Sequence, residues 1–174
     1  MKRPIRISIL CAALLAALLL ACSCAPQSGL GAGGRVTVSI VSLYLDDQQI
    51  ADGQTQDVIL DHYPVTCKAG QTVADALKLA CDANSIRLDA TGSGILYYVQ
   101  QIDTLRERDH GSGSGWVYRV NGADTGVSSG SQAVNAGDDI IWYYSLNMGD
   151  DVPVQSTTEA PTKLTVPPSG TDGQ

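Results

Sequence analysis

An α+β fold, one helix packed on a mixed sheet of about five strands, is the architecture this sequence predicts. Three observations carry it. Several short runs are rich in β-branched and aromatic residues, a single segment has helical periodicity with a cap, and that segment falls between two predicted strands and three later ones.

Taken in order, Arg35 to Leu45 (RVTVSIVSLYL) is β-branched and partly alternating, a strand ended by Asp46 and Asp47. Asp57 to Tyr63 is a second strand, and the connection between them holds the turn pair Asp52-Gly53. Thr72 then opens the helix as N-cap, with Asp75 three residues on in a capping-box arrangement. Val73, Ala76, Leu77, Ala80 and Cys81 recur at helical spacing and form one apolar stripe that needs a sheet to lie on. The helix should end near Asn84. Tyr97 to Ile102, Trp116 to Val120 and Asp139 to Tyr144 are the remaining strands. Asn121-Gly122 after the fourth is a tight-turn pair, because both central residues of such a turn need positive φ.

The two ends read differently. Lys2, Arg3 and Arg6 precede a nearly apolar Ile7 to Leu20, the pattern of an export signal and short for a spanning helix, which needs about 20 residues. An uncleaved anchor and a signal cut near Ala25 to release a soluble product are the alternatives. Leu19-Leu20-Ala21-Cys22 resembles the bacterial lipobox, so residues 1–21 are expected to be a lipoprotein signal peptide. Cys22 is then the lipid acceptor, with Cys24 second, and the chain sits on the extracytoplasmic face of the cell membrane. Residues 22–34 are expected to be a flexible tether, 35–151 the folded domain, and 152–174 a disordered Pro/Ser/Thr-rich tail.

The net charge is −7 with 18 acidic against 11 basic residues, and the first 21 residues contribute only bases, so the exported body is more acidic still. Such a surface repels phosphate backbones, and nucleic acid is not an expected partner. In an oxidising exterior Cys67 and Cys81 are expected to bridge a strand end to the helix, the alternative being two buried thiols. No CxxC or HxxxH spacing occurs, and no metal centre or cofactor is expected.

Two glycine motifs resemble catalytic loops in outline. Gly111 to Gly115 (GSGSG) leads into Trp-Val-Tyr-Arg-Val, a strand, whereas a phosphate cradle must lead into a helix. Gly126-Val-Ser-Ser-Gly130 matches the G-x-S-x-G of an esterase elbow, but nothing helical follows, and only His62 and His110 could act as base. Each histidine sits beside an aspartate and reads more simply as solvated, so the chain is read as a non-enzyme with Ser128 the remote alternative. The acidic pairs Asp46-Asp47, Asp138-Asp139 and Asp150-Asp151 lack the spacing of a calcium loop and suit strand ends.

The aromatics number seven Tyr and two Trp with no Phe. Trp and Tyr stack on a ligand while keeping a polar handle wet, so Tyr97, Trp116, Tyr118, Trp142 and Tyr144 form the expected ligand-binding set. The competing reading gives the same side chains to the core, where small helix residues need bulky partners.

Gly70-Gln-Thr-Val-Ala-Asp-Ala-Leu77, Gly115-Trp-Val-Tyr-Arg-Val-Asn-Gly122 and Gly137-Asp-Asp-Ile-Ile-Trp-Tyr-Tyr144, in that order, resemble the bacterial transcobalamin-like C-terminal domain family across most of residues 36–145. The resemblance implies a small β-grasp-like domain on exported proteins and kinship with the domain that covers one face of cobalamin in transcobalamin and intrinsic factor. By position, it places Trp116 and Tyr118 in the family's aromatic block. The large helical barrel that completes the cobalamin clasp in transcobalamin has no counterpart in this sequence. The expected function is therefore an exported, lipid-anchored ligand-binding module for a corrinoid. The alternative is an adhesion or assembly module that meets protein or polysaccharide through the same aromatics or an exposed sheet edge.

Overall fold

The computed structural model describes residues 31–153. The expected signal peptide, Cys22 and Cys24, and residues 154–174 lie outside the described residues. β1 (Gly34–Ser42) runs through the middle of the larger sheet, with Val36, Val38 and Ile40 buried on one face and Ser39 and Val41 buried on the other. It pairs antiparallel with β2 (Asp57–Cys67) and parallel with β7 (Asp139–Ser145), whose outer side carries β6 (Gly115–Val120) antiparallel. The strand order is β2-β1-β7-β6. The parallel β1/β7 pair requires a long crossover, and that crossover contains most of the domain.

Between β1 and β2 a short helix, α1 (Asp47–Ala51), is closed by a capping box in which Asp46 accepts from Gln49 N and Gln49 Oε1 accepts from Asp46 N. The main helix, α2 (Val73–Asn84), starts at Thr72 with the expected capping box to Asp75 and ends at Ser85 in the left-handed conformation, φ 56°. Its stripe of Val73, Ala76, Leu77, Ala80 and Cys81 is fully buried. It meets Val36, Val38 and Ile40 of β1 and Ile140, Trp142 and Tyr144 of β7 in one core. Two of the amides that start α2 find partners outside the helix: Val73 N donates to Gln132 O and Ala74 N to Ser129 O.

The sequence reading of α+β holds, and the topology is β-grasp-like, but the strands divide between two sheets. β3 (Leu88–Thr91), β4 (Tyr98–Ile102) and β5 (Leu105–Arg106) form a separate three-stranded sheet in the order β3-β4-β5. β3 and β5 are too short, and too polar in β3, to stand out as strands before their partner is known. α1 likewise buries no residue. The second strand runs past the expected Tyr63 to Cys67, through Pro64 opposite Thr37. A proline is tolerated there because β2 is an edge strand.

The domain is also wider than 35–151. Gly31 and Gly33 are buried, and Gly33 bridges to Asn135. Val152 is buried with Val41, Ile141 and Tyr143 in a small cluster on the sheet face opposite α2. Asn121-Gly122 does form the expected turn, with φ of 53° and 77°, and Val120 and Ala123 exchange both backbone hydrogen bonds across it. The returning strand stops at that single bridge.

Candidate functional site

The five expected ligand-facing aromatics fall into two groups. Trp116 (8% exposed), Trp142 (2%) and Tyr144 (0%) are core residues, which corrects their assignment to a binding surface. They share a sheet face as alternation requires, but that face is the one covered by α2 and the second sheet. Trp116 Nε1 donates to Leu105 O at 3.0 Å, and Tyr144 Oη donates to Arg106 O at 2.6 Å. The two side chains thereby fasten β5 to the large sheet. Trp142 Nε1 has no hydrogen-bond partner among the described residues, and its ring lies 5.3 Å from that of Tyr118.

Tyr97 and Tyr118 stay half-buried, but the structure does not bring them to one place. Tyr97 lines a depression with Asp75, Lys78 and Gly130 beside the start of α2. Tyr118 lines a different one, beside β6. Burial raises the phenol pKa of both above the ordinary tyrosine value. The Tyr118 hydroxyl donates to Val127 O at 2.6 Å, which leaves it to accept from Thr125 Oγ1 at 2.7 Å.

The expected Cys67–Cys81 bridge is absent: both cysteines are free and buried. Burial raises both thiols, Cys81 to about 12, so neither is a nucleophile at neutral pH in the folded chain. Ser128 Oγ points at two backbone carbonyls, Gly94 O at 3.1 Å and Tyr97 O at 3.2 Å, with no histidine bonded to it. A Cβ on Gly130 would come within 2.5 Å of Gly94 O and of Tyr97 Cβ. The G-x-S-x-G pattern here is therefore a close packing contact against the 92–97 turn. His110 stacks on Tyr44 with ring centroids 3.5 Å apart, and its N–H donates to Ser114 Oγ. That pins the glycine loop before it enters β6, a strand as expected. Among the described residues no group of three or more His, Cys, Asp or Glu is placed to hold a metal ion, and no helix is long and apolar enough to cross a membrane.

What the structure does assemble is a groove along β6. Two depressions, of about 370 and 250 Å³, share Trp116, Val117 and Met148. The larger is lined by four consecutive strand residues, Trp116 to Arg119, whose side chains alternate between faces. Only the open edge of a strand presents both parities at once. The backbone phase agrees. Asn121 N donates to Asp139 O, so residues 117 and 119 face β7, while Trp116 and Tyr118 turn N–H and C=O away from it. Among the described residues nothing bonds those four groups.

Both walls of the groove are braced. On one side Ser145 Oγ accepts from Gly149 N (2.7 Å) and Asn147 N (3.1 Å) and donates to Asp151, which also accepts from Leu146 N at 2.7 Å. This turn holds Met148, 80% exposed, beside Val117. Burial pushes the Asp151 carboxyl up, but the hydrogen bonds from Ser145, Leu146 and Asn147 outweigh it and hold the group below the usual carboxylate range. On the other side Asp124 accepts from Gly126 N at 2.9 Å and pairs with Arg119 at 2.5 Å, and both interactions lower its pKa. Exposed Val127 completes this wall.

Sequence reasoning reached Tyr118 but missed Val117, Val127 and Met148. Val117 carried a signal, since it sits at the opposite parity to the paired aromatics. Met148 carried none, because only the turn geometry brings it to β6.

Residues 70–145 match the family model described as a domain of unknown function (DUF4430). No curated protein matches the chain. Among solved structures, a crystal structure of a candidate metal binding protein from Ruminococcus gnavus is similar at 13% identity and a TM-score of 0.44. The match covers 64% of this chain and 96% of that one. The chain is thus similar, over the stretch from the start of α2 to the end of β7, to a domain family defined by its sequence.

Proposed function

We propose that this chain is an exported ligand-binding module, anchored to the membrane by lipid at Cys22, and that its contact surface is the β6 groove. The observation that carries the reading is the open strand edge: free backbone donors and acceptors at Trp116 and Tyr118 set between apolar Val117, Val127 and Met148. A corrinoid is the ligand class we infer, on the resemblance to the transcobalamin-like C-terminal domain family, with which the match of residues 70–145 is compatible. The chemistry suits it. A corrin ring is broad and largely apolar with amides on its rim, so an apolar floor with unpaired N–H and C=O groups offers contacts of both kinds. The groove is open and would cover one face only, which keeps affinity modest. The reading is of binding without catalysis, since the Ser128 hydroxyl is occupied by backbone carbonyls.

Spectrophotometric titration of the folded chain with cobalamin tests this. The corrin bands should shift, and Met148→Asp, at an exposed position, should weaken binding about tenfold, or ~1.4 kcal/mol. No shift at high micromolar cobalamin would overturn the corrinoid reading. The same free edge favours a second reading, an adhesion or assembly module, because sheet edges accept extended peptides.

A further inference from the structure

The open part of β6 restricts what can occupy it. At one end Ser114 N donates to Gly111 O (3.0 Å) and Ser114 O accepts from Arg108 N (2.9 Å). At the other, Val120 exchanges both hydrogen bonds with Ala123. Arg108, Gly111 and Ala123 thus stand where a neighbouring strand would continue, so the long edge of another sheet, β6 of a second copy included, cannot lie along it. Between these closures the N–H and C=O of Trp116 and of Tyr118 point outward, bonded by nothing among the described residues. Donors and acceptors at that spacing match an extended polypeptide. An antiparallel segment reaches all of these groups with about three residues, whereas a parallel one needs about five. The shorter segment suits the slot.

We propose that the groove binds a short extended peptide, antiparallel to β6 and bending away at both ends, with a basic residue before its paired residues and an acidic one after them. The inference rests on the reading of the β6 groove as the contact surface and names a partner for it. Charge agrees with the direction. An antiparallel chain enters beside Tyr118, where exposed Asp150 lines the groove, and leaves beside Trp116 and Ser114, where exposed Arg108 lines it. Neither Asp150 nor Arg108 has an ion-pair partner among the described residues. The other charges nearby are engaged: Glu107 accepts from Tyr98 Oη at 2.6 Å, and Asp124 pairs with Arg119. The paired residues should be apolar on both faces. Directly opposed strand residues share a face, so the middle one lies beside Val117 and Met148, the first beside Tyr118 and Val127, and the third beside Trp116 and Tyr98.

Fluorescence polarisation of the full chain with a labelled, end-blocked peptide, Lys-Val-Leu-Val-Asp, tests the proposal. It should bind below about 1 mM. N-methylating the first valine removes the N–H that donates to Tyr118 O and should weaken binding about tenfold. N-methylating the leucine, whose N–H points away from β6, should change binding less than about twofold. Exchanging the terminal charges, as Asp-Val-Leu-Val-Lys, should weaken it about threefold. The amides of Trp116 and Tyr118 should exchange more slowly once the peptide is added, while those of Val38 and Ile40 stay as they were. No binding at about 1 mM overturns the proposal, and so do equal losses from the two N-methyl groups, which would mean contact through side chains alone. Protection of Trp116 and Tyr118 before any peptide is added also overturns it, by assigning the edge to another occupant, a second copy if the protection fades on dilution. If cobalamin shifts its bands but the peptide does not bind, the ligand reading stands and this inference falls. Peptide binding without a cobalamin shift removes only the corrinoid.

Discussion

The four-stranded sheet has two edges, and they are built in opposite ways. At β2, Pro64 removes a donor, the register slips twice between Val38 and Val41, and His62 adopts a φ of 39° while its N–H is diverted to Ser39 Oγ. Asp61, His62, Thr66 and Lys68 stand exposed along it. At β6 the register is unbroken over six pairs, no proline or bulge interrupts it, and apolar side chains flank it. Irregularity, proline and charge are how sheets discourage edge-to-edge pairing. One edge of this domain is guarded and the other is left fit to pair, which is why the functional reading centres on β6.

The largest effect should come from the element that supports both edges alike. Leu77→Ala opens a hole in the α2 stripe and should lower stability by about 3 kcal/mol in urea unfolding, with the exchange contrast between β2 and β6 unchanged. A smaller and one-sided effect is expected of Tyr144→Phe. It removes the bond to Arg106 O, costs about 1 to 2 kcal/mol, and should speed exchange near Arg108 and Ser114 while β2 is unaffected.

Pro64→Val strikes at the contrast itself. Stability should change by less than about 1 kcal/mol, but β2 should gain a donor and the protein should begin to associate with concentration, as measured by light scattering. The smallest effects are those of pH, and they have opposite signs at the two edges. Asp124 and Asp151 beside β6 have lowered pKa values. Their contribution is present above the unfolded carboxylate value near 4 and is lost as pH falls through the lower folded values. His62 on β2 is raised by its hydrogen bond to Asp61. Its contribution is present below the unfolded value near 6.5 and is lost as pH rises through the higher folded one. Side-chain titration by NMR with amide exchange at Gly126, Leu146 and His62 checks both directions.

Much of the fold could be read in advance because its signals are local. Thr72 with Asp75 starts α2 whatever it packs against, and Asn121-Gly122 turns the chain wherever it lies. The candidate site was harder to read. The two-residue periodicity of Trp116, Tyr118, Trp142 and Tyr144 says that they share a face, but a sheet has two, and it does not say which one α2 will cover. The spacing of Cys67 and Cys81 allowed a bridge or two buried thiols, and only the packing of strand end against helix separated them. β3 and β5 exist as strands only because β4 lies between them.

From its sequence alone, this protein is an acidic chain with an α+β core, one capped helix, and strands where β-branched and aromatic residues cluster. Those properties follow from backbone preference and side-chain periodicity, which act over a few residues. Which aromatics are core, which sheet edge is open, and that Met148 stands beside Val117 were decided by contacts between segments distant in the chain. Burial and strand pairing are properties of the assembled layers, and no local stretch carries them.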